Sequence, residues 1–171
     1  GTPFIHAVFP TANKAALIKT DNEIHGIILK GVDKDYNWNY INSNLTLGNI
    51  PQYTDDERSN DVVISKIIAD KLLLNVGDDV RIWFVGEDMK TRGRKFSVKG
   101  IYETGLTECD ERFIYCDLNQ IRRLNGWEND YVGHLEIQLN EDVDVLEANN
   151  YIYYSIPTYL ISYTARELYP H

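Results

Sequence analysis

Long hydrophobic runs are missing. The longest apolar stretches, Val62-Val63-Ile64 and Ile67-Ile68-Ala69, are broken by charge or hydroxyl within a turn, well short of the roughly 18 residues that cross a bilayer as a helix. The opening Gly-Thr-Pro-Phe-Ile-His has neither the basic nor the apolar region of a secretory leader. It also starts on Gly1 rather than Met, which reads as a piece of a longer protein. Positive charge is scarce: 17 Lys and Arg stand against 26 Asp and Glu, a net charge of −9. Such a surface repels polyphosphate and anionic lipid, which argues against nucleic-acid binding and peripheral membrane adsorption. Cysteine is limited to Cys109 and Cys116, seven positions apart. If the run between them is a strand, their Cα atoms lie about 20 Å apart, whereas a disulfide needs about 7 Å or less. Free thiols are expected, and neither CxxC spacing nor a histidine cluster offers a metal site.

Chemistry-bearing motifs are equally sparse. His6, His25, His134 and His171 form no HxxxH or HxH pair, and a lone strand histidine is ordinarily surface or hydrogen-bonded. There is no GxSxG elbow, GxxxxGK[ST] loop or GxGxxG turn. No catalytic residue, metal site or cofactor is therefore expected. Asp55-Asp56-Glu57 with Asn60-Asp61 is acidic but lacks the EF-hand ladder, so it reads as a solvated loop. Asn44-Leu45-Thr46 matches a glycosylation sequon, a weak signal alone.

What is present is a normal globular composition: 171 residues, 43% hydrophobic and 25% charged, enough for one domain or two small lobes and too apolar for disorder. Strand patterns alternate with a few helices. Phe4 to Phe9 reads as a strand stopped at Pro10. Ala15 to Thr20 and Gly26 to Lys30 flank the turn Asp21-Asn22-Glu23. Tyr36 to Leu47 is a short helical or irregular stretch closed by Gly48, and Thr54 to Asn60 a charged loop. Val62 to Ile64 is a strand, followed by a helix with Ser65 as N-cap and Ile67, Ile68, Leu72 and Leu73 as its apolar stripe. Val80 to Val85 and Lys95 to Glu103 form a hairpin around the polar loop Gly86 to Arg94. Phe113 to Cys116 is a strand, and Leu118 to Leu124 a helix ended by Asn125-Gly126. A strand over Tyr131 to Leu139, a helix over Val143 to Ser155 and a strand over Tyr159 to Thr164 make a closing βαβ unit.

Two surface features stand out. The hairpin tip gathers four cations against two anions in an acidic chain, and its Met89, Lys90, Arg92 and Arg94 are candidate partner contacts; the alternative is a solvated loop end. Trp83 lies out of phase with Val80, Ile82 and Phe84. Its strand must therefore carry either an exposed indole, an aromatic binding candidate, or a second buried layer. Trp38 and Trp127, with Tyr151, Tyr153 and Tyr154, are further aromatic candidates, although rings more often fill strand faces.

Several segments, in order, resemble the periplasmic domain of LolC/LolE-type ABC transporter permeases, a MacB-like core. They are Gly26-Ile-Ile-Leu-Lys-Gly-Val-Asp33; Val63 to Leu72 leading into Val76-Gly-Asp-Asp-Val80; Phe96 to Gly105; Phe113 to Leu118 with Ile121 and Leu124; and Tyr163 to Leu168. The resemblance implies an α+β fold with two lobes. A βαβ Porter-like lobe, residues 1–14 and 129–171, would lie nearest the membrane, with its first strand and helix preceding residue 1. A strand-rich Sabre-like lobe, residues 15–128, would be inserted in it. It further implies a non-enzymatic domain, membrane-tethered in the full-length protein at the periplasmic face of a bacterial inner membrane. Its partners would be a cytoplasmic ATP-binding subunit, a second permease protomer, and a lipoprotein or other periplasmic substrate. LolC-type proteins carry a longer chaperone-gripping hook where this chain has the short, proline-free Gly86 to Arg94, so that activity does not carry over. Competing readings are a free-standing peptide- or carbohydrate-binding module and an FtsX-like regulator of cell-wall hydrolases.

Overall fold

One long strand organises the sheet. The computed structural model describes residues 5–21, 23–84, 93–125 and 134–139. Within them β1 (Ile5–Lys19) runs for 15 residues and passes straight through Pro10, where the sequence alone places its end. Hydrogen bonding explains the correction. Proline withholds an N–H from one ladder only. On one edge β1 pairs antiparallel with β2 (Ile24–Val32) from Thr11 onward, so Pro10 stands just before that ladder begins. On the other edge Pro10 faces Leu135 of β8 (His134–Leu139), and in an antiparallel pair only alternate residues exchange bonds with a given neighbour.

The remaining pairings close a ring. β2 runs parallel to β7 (Phe113–Asp117). β7 meets β4 (Asp61–Ser65) at Tyr115 and Val63. β4 runs parallel to β6 (Arg94–Tyr102). β6 is antiparallel to β5 (Asp79–Phe84), and β5 returns to β1 at residues 16–18. Two further strands extend the ring: β8 on β1, and β3 (Leu45–Gly48) on β6. Closure leaves few open edges, which guards a strand-rich chain against edge-to-edge association.

All six ring strands direct one face at a common core. It contains Ala12, Ala16 and Ile18 from β1, Leu29 from β2, Ile64 from β4, Ile82 from β5, Phe96 from β6 and Ile114 from β7. Each fully buried aliphatic side chain contributes about 1.5–3 kcal/mol. Two helices seal this core. α2 (Lys66–Leu72) follows its expected N-cap, where Ser65 Oγ accepts the Ile68 N–H at 3.1 Å. Its buried stripe is Ile68, Ala69 and Leu72, whereas Leu73, expected in the stripe, is 82% exposed. The helix stops at Leu72, and Leu73 adopts φ 57, a left-handed cap that swings its side chain outward. α4 (Leu118–Asn125) lies across β2 so closely that a Cβ on Gly31 would sit 2.9 Å from Leu118 Cα and 2.8 Å from Ile121 Cδ1.

A bulge in β6 makes a second layer. Along β4 the partner shifts from Val98 at Val62 to Gly100 at Val63, leaving Lys99 as the extra residue. Phe96 and Val98 therefore share the main core with Ile101, and Tyr102 joins a separate outer cluster with Ile41 and Val63. Two short helices border that layer: α1 (Asn39–Ser43) and α3 (Thr107–Arg112). α3 is absent from the sequence reading. It is held by buried Asp110, which accepts the Thr104 and Gly105 N–H groups and the Thr104 hydroxyl. Its carbonyl takes the Ser65 hydroxyl.

The fold is α+β, a mixed sheet with few helices. The helix expected over Val143 to Ser155 and the strand over Tyr159 to Thr164 lie outside the described residues.

Candidate functional site

The outer layer carries an aromatic cleft. On β2 and β7 Lys30 and Tyr115 lie out of phase with the core, as do Ile28 and Phe113, and parallel register sets Lys30 and Tyr115 side by side. The chain leaving β2 folds back over them: Asp33 Oδ1 accepts the Asp35 N–H at 3.0 Å, and its carbonyl accepts the Tyr36 N–H at 3.3 Å. Tyr36 and Trp38 are thereby delivered onto Tyr115, with ring centroids 6.2 and 5.4 Å away. Tyr102 meets Tyr115 edge-on at 5.7 Å, a favoured aromatic geometry. The Lys30 ammonium stands 5.6 Å from the Tyr36 centroid and 5.5 Å from that of Tyr115, within cation–π range of both.

Between this wall, α1 and α3 opens a cavity of about 260 Å³, bordered by Lys30, Tyr40, Tyr102, Leu106, Cys109 and Tyr115. The Tyr102 hydroxyl donates to the Phe113 carbonyl at 2.7 Å, and burial pushes its pKa well above the ordinary phenol value. At the mouth, Tyr40 is 53% and Leu106 56% exposed. The two thiols are free: Cys109 is exposed on the cavity wall, and Cys116 is buried in the core, where desolvation raises its pKa.

The hairpin base is built differently from the sequence reading. Trp83 is not an exposed aromatic: it is 8% accessible. The second buried layer is the alternative that holds. Gly93, at φ +69, passes beneath the indole so closely that a Cβ there would sit 2.7 Å from Trp83 Cε2. Arg81 donates to the Gly93 carbonyl at 3.3 Å. Arg94 belongs to β6 rather than to the loop tip; it pairs with Ile82, is half-buried, and lays its guanidinium 5.8 Å from the Phe84 centroid. Met89, Lys90 and Arg92 lie outside the described residues, as does Trp127.

The acidic loop is pinned to the body of the domain. Asp117 is buried and caps α4 through the Asn119 N–H at 3.0 Å, while its other oxygen accepts the Ser59 N–H at 2.9 Å. Gln120 donates to the Ser59 carbonyl and Asn119 to that of Thr54. Asp55 pairs with Lys34 at 2.5 Å on the surface. Among the described residues no group of three His, Cys, Asp or Glu side chains is placed to hold a metal ion, and no helix is long and apolar enough to cross a membrane.

Sequence reasoning missed the Lys30 cleft and the Asp117 clamp. Strand parity pointed to the first, since Lys30 and Tyr115 both alternate with core residues.

Solved structures show the fold first. The chain is similar to the periplasmic region of MacB from Actinobacillus actinomycetemcomitans, at 15% identity and a TM-score of 0.56, covering 90% of this chain and 66% of that one. It is also similar to the extracellular domain of the noncanonic ABC-type transporter YknZ from Gram-positive bacteria, at 21% identity and a TM-score of 0.53, covering 84% and 70%. The fold is thus shared with transporter regions that lie outside the cytoplasm. The sequence then supplies the family: residues 1–152 match the model of the MacB-like periplasmic core domain, and the chain belongs to that family. It spans about two thirds of the MacB region. No curated protein matches it in sequence.

Proposed function

We propose that the chain is the extracytoplasmic domain of an ABC-type transporter permease, and that it relays ATP-driven conformational change to a substrate already outside the cytoplasm. The family match over residues 1–152 carries this reading. ATP hydrolysis would reside in a cytoplasmic subunit, and a second permease protomer would complete the transporter. Bound nucleotide would shift the balance between two arrangements of paired domains, a rigid-body change rather than local chemistry. The continuous β1 suits a lever, because one strand ties β8 to the closed ring. In this reading residues 1–14 and 129–171 form a membrane-proximal Porter-like lobe, and residues 15–128 the Sabre-like lobe.

Lipoprotein release or export is the proposed task, with the hairpin tip, Met89, Lys90 and Arg92, as a partner contact. The test is to express the complete reading frame in bacterial membranes with its ATP-binding subunit. Co-purification of the two and ATP-dependent release of a lipoprotein from spheroplasts are expected, with release reduced by Lys90→Glu and Arg92→Glu. Recovery of the full protein in the soluble extracytoplasmic fraction, without an ATPase, would overturn the permease reading. ATP-driven export of something other than a lipoprotein would overturn only the cargo.

A further inference from the structure

We propose that Arg58, Arg94 and Arg123, gathered where the loop before β4 crosses between α4 and β6, bind a tetrahedral dianion: the phosphate group of a phosphomonoester. Hydrogen bonds fix the gathering. Gln120 of α4 donates to the Ser59 carbonyl at 2.7 Å and to Asn60 Oδ1 at 2.9 Å. The Asn60 carbonyl in turn accepts the Ser97 N–H of β6 at 2.9 Å. Arg58 therefore enters this seam directly before its two pinned residues. Arg123 lies one turn beyond Gln120 on the same face of α4, and Arg94 opens β6 just ahead of Ser97. The three charges act on one another: desolvation lowers the Arg58 pKa, and repulsion from Arg123 and Arg94 lowers it further.

The cluster lacks a counterion. Among the described residues none of the three arginines forms a salt bridge. The carboxylate that acts on Arg58, Asp117, has one oxygen on the Ser59 N–H and the other on the Asn119 N–H. Arg94 is half-buried, and its Nε is shut off from water with no hydrogen-bond partner, a costly state for a charged donor. Arg58 and Arg123 are exposed, so a ligand reaches the cluster from solvent. Three positive charges are matched better by a dianion than by a carboxylate, and planar guanidinium forks present paired donors to phosphate oxygens. The chain's net charge of −9 opposes an anion only weakly here, because salt screens distant charges beyond about 10 Å. The proposal does not depend on the transporter reading.

The experiment titrates the 171-residue chain with inorganic phosphate, phenyl phosphate and acetate at constant ionic strength, by calorimetry and by thermal melting. Phosphate and phenyl phosphate are expected to bind saturably and to raise Tm. Acetate should bind about tenfold more weakly, the usual contribution of a hydrogen bond to a charged group. Arg58→Gln and Arg123→Gln should each weaken phosphate about tenfold. Without phosphate each should melt no lower than the parent, since a repelling neighbour is gone. Arg94→Lys should weaken phosphate too, because an ammonium lacks the paired donors. Vesicles of phosphatidylcholine with and without phosphatidate separate the two sources of the group. Flotation with phosphatidate that is lost in Arg58→Gln assigns it to a lipid headgroup, and phosphate binding without flotation assigns it to a free phosphomonoester. Absence of saturable phosphate binding, or equal responses to phosphate and acetate, would overturn the site. Phosphate affinity unchanged in any one variant would remove that residue from it.

Discussion

Removing the Asp117 carboxylate should be among the costliest single changes in the described part of the chain. One oxygen caps α4 through the Asn119 N–H, and the other holds the Ser59 N–H of the acidic loop. Loss of an N-cap costs about 1 kcal/mol, and a half-buried donor such as the Ser59 N–H left without a partner costs toward the lower end of the about 1–3 kcal/mol of a buried one. Asp117→Ala should therefore lower stability by about 2–3 kcal/mol, which in a chain of this size lowers Tm by roughly 4–12 °C. Asp117→Asn should fall between, because its single acceptor oxygen serves one N–H while its amide confronts the other. Burial raises the Asp117 pKa more than its two N–H donors lower it. Between the ordinary carboxylate value and the raised one, the native state binds more protons than the unfolded chain. This group's contribution therefore declines as pH rises through that window and is constant above it. The decline should vanish in Asp117→Asn. Urea unfolding across that window measures both effects, and hydrogen exchange at Ser59 and Asn119 localises them. An Asp117→Ala protein within about 0.5 kcal/mol of the parent, the range of ordinary surface changes, would refute the clamp.

Three further outcomes follow from the packing. Gly31→Ala should cost about 1–3 kcal/mol, as overpacking does; adding Ile121→Ala should not rescue it, because the Cβ also meets the backbone at Leu118. Gly93→Ala should push the Trp83 indole away from the Gly93 backbone, visible as a shifted Trp83 resonance in fluorotryptophan-labelled protein; an unmoved resonance would deny the contact. A thiol reagent should modify Cys109 in the native protein and Cys116 only on unfolding, since Cys116 is fully buried with its thiol pKa raised; rapid double modification without unfolding would contradict the core.

The sequence carried local structure better than long-range structure. Ser65 announced α2 because an N-cap is chemistry written within four residues, and the Val80/Ile82/Phe84 alternation announced β5 for the same reason. Trp83 was legible as out of phase, but what covers it is Gly93, across the hairpin, so burial could not be read from β5 alone. Pro10 stopped the strand on paper because the sequence does not say that β2 pairing begins one residue later. Tyr102 changes layers at a one-residue bulge, which period-two reasoning cannot detect. α3 rests on Asp110 gathering a loop that precedes it, a tertiary arrangement rather than a periodic one. The Lys30 cleft needed parallel register between β2 and β7, whose paired residues Lys30 and Tyr115 stand 85 positions apart along the chain, and no local pattern encodes such a pairing.

The relay itself is tested most directly by distance. In the full-length permease with its ATP-binding subunit, carrying Cys109→Ser, a spin label at Lys71→Cys, exposed on α2, reports the separation of the two copies of this domain across the transporter. The account predicts that trapping the ATP-bound state shifts the distance distribution between labels while each domain keeps its own thermal stability. Identical distributions with and without nucleotide would contradict it.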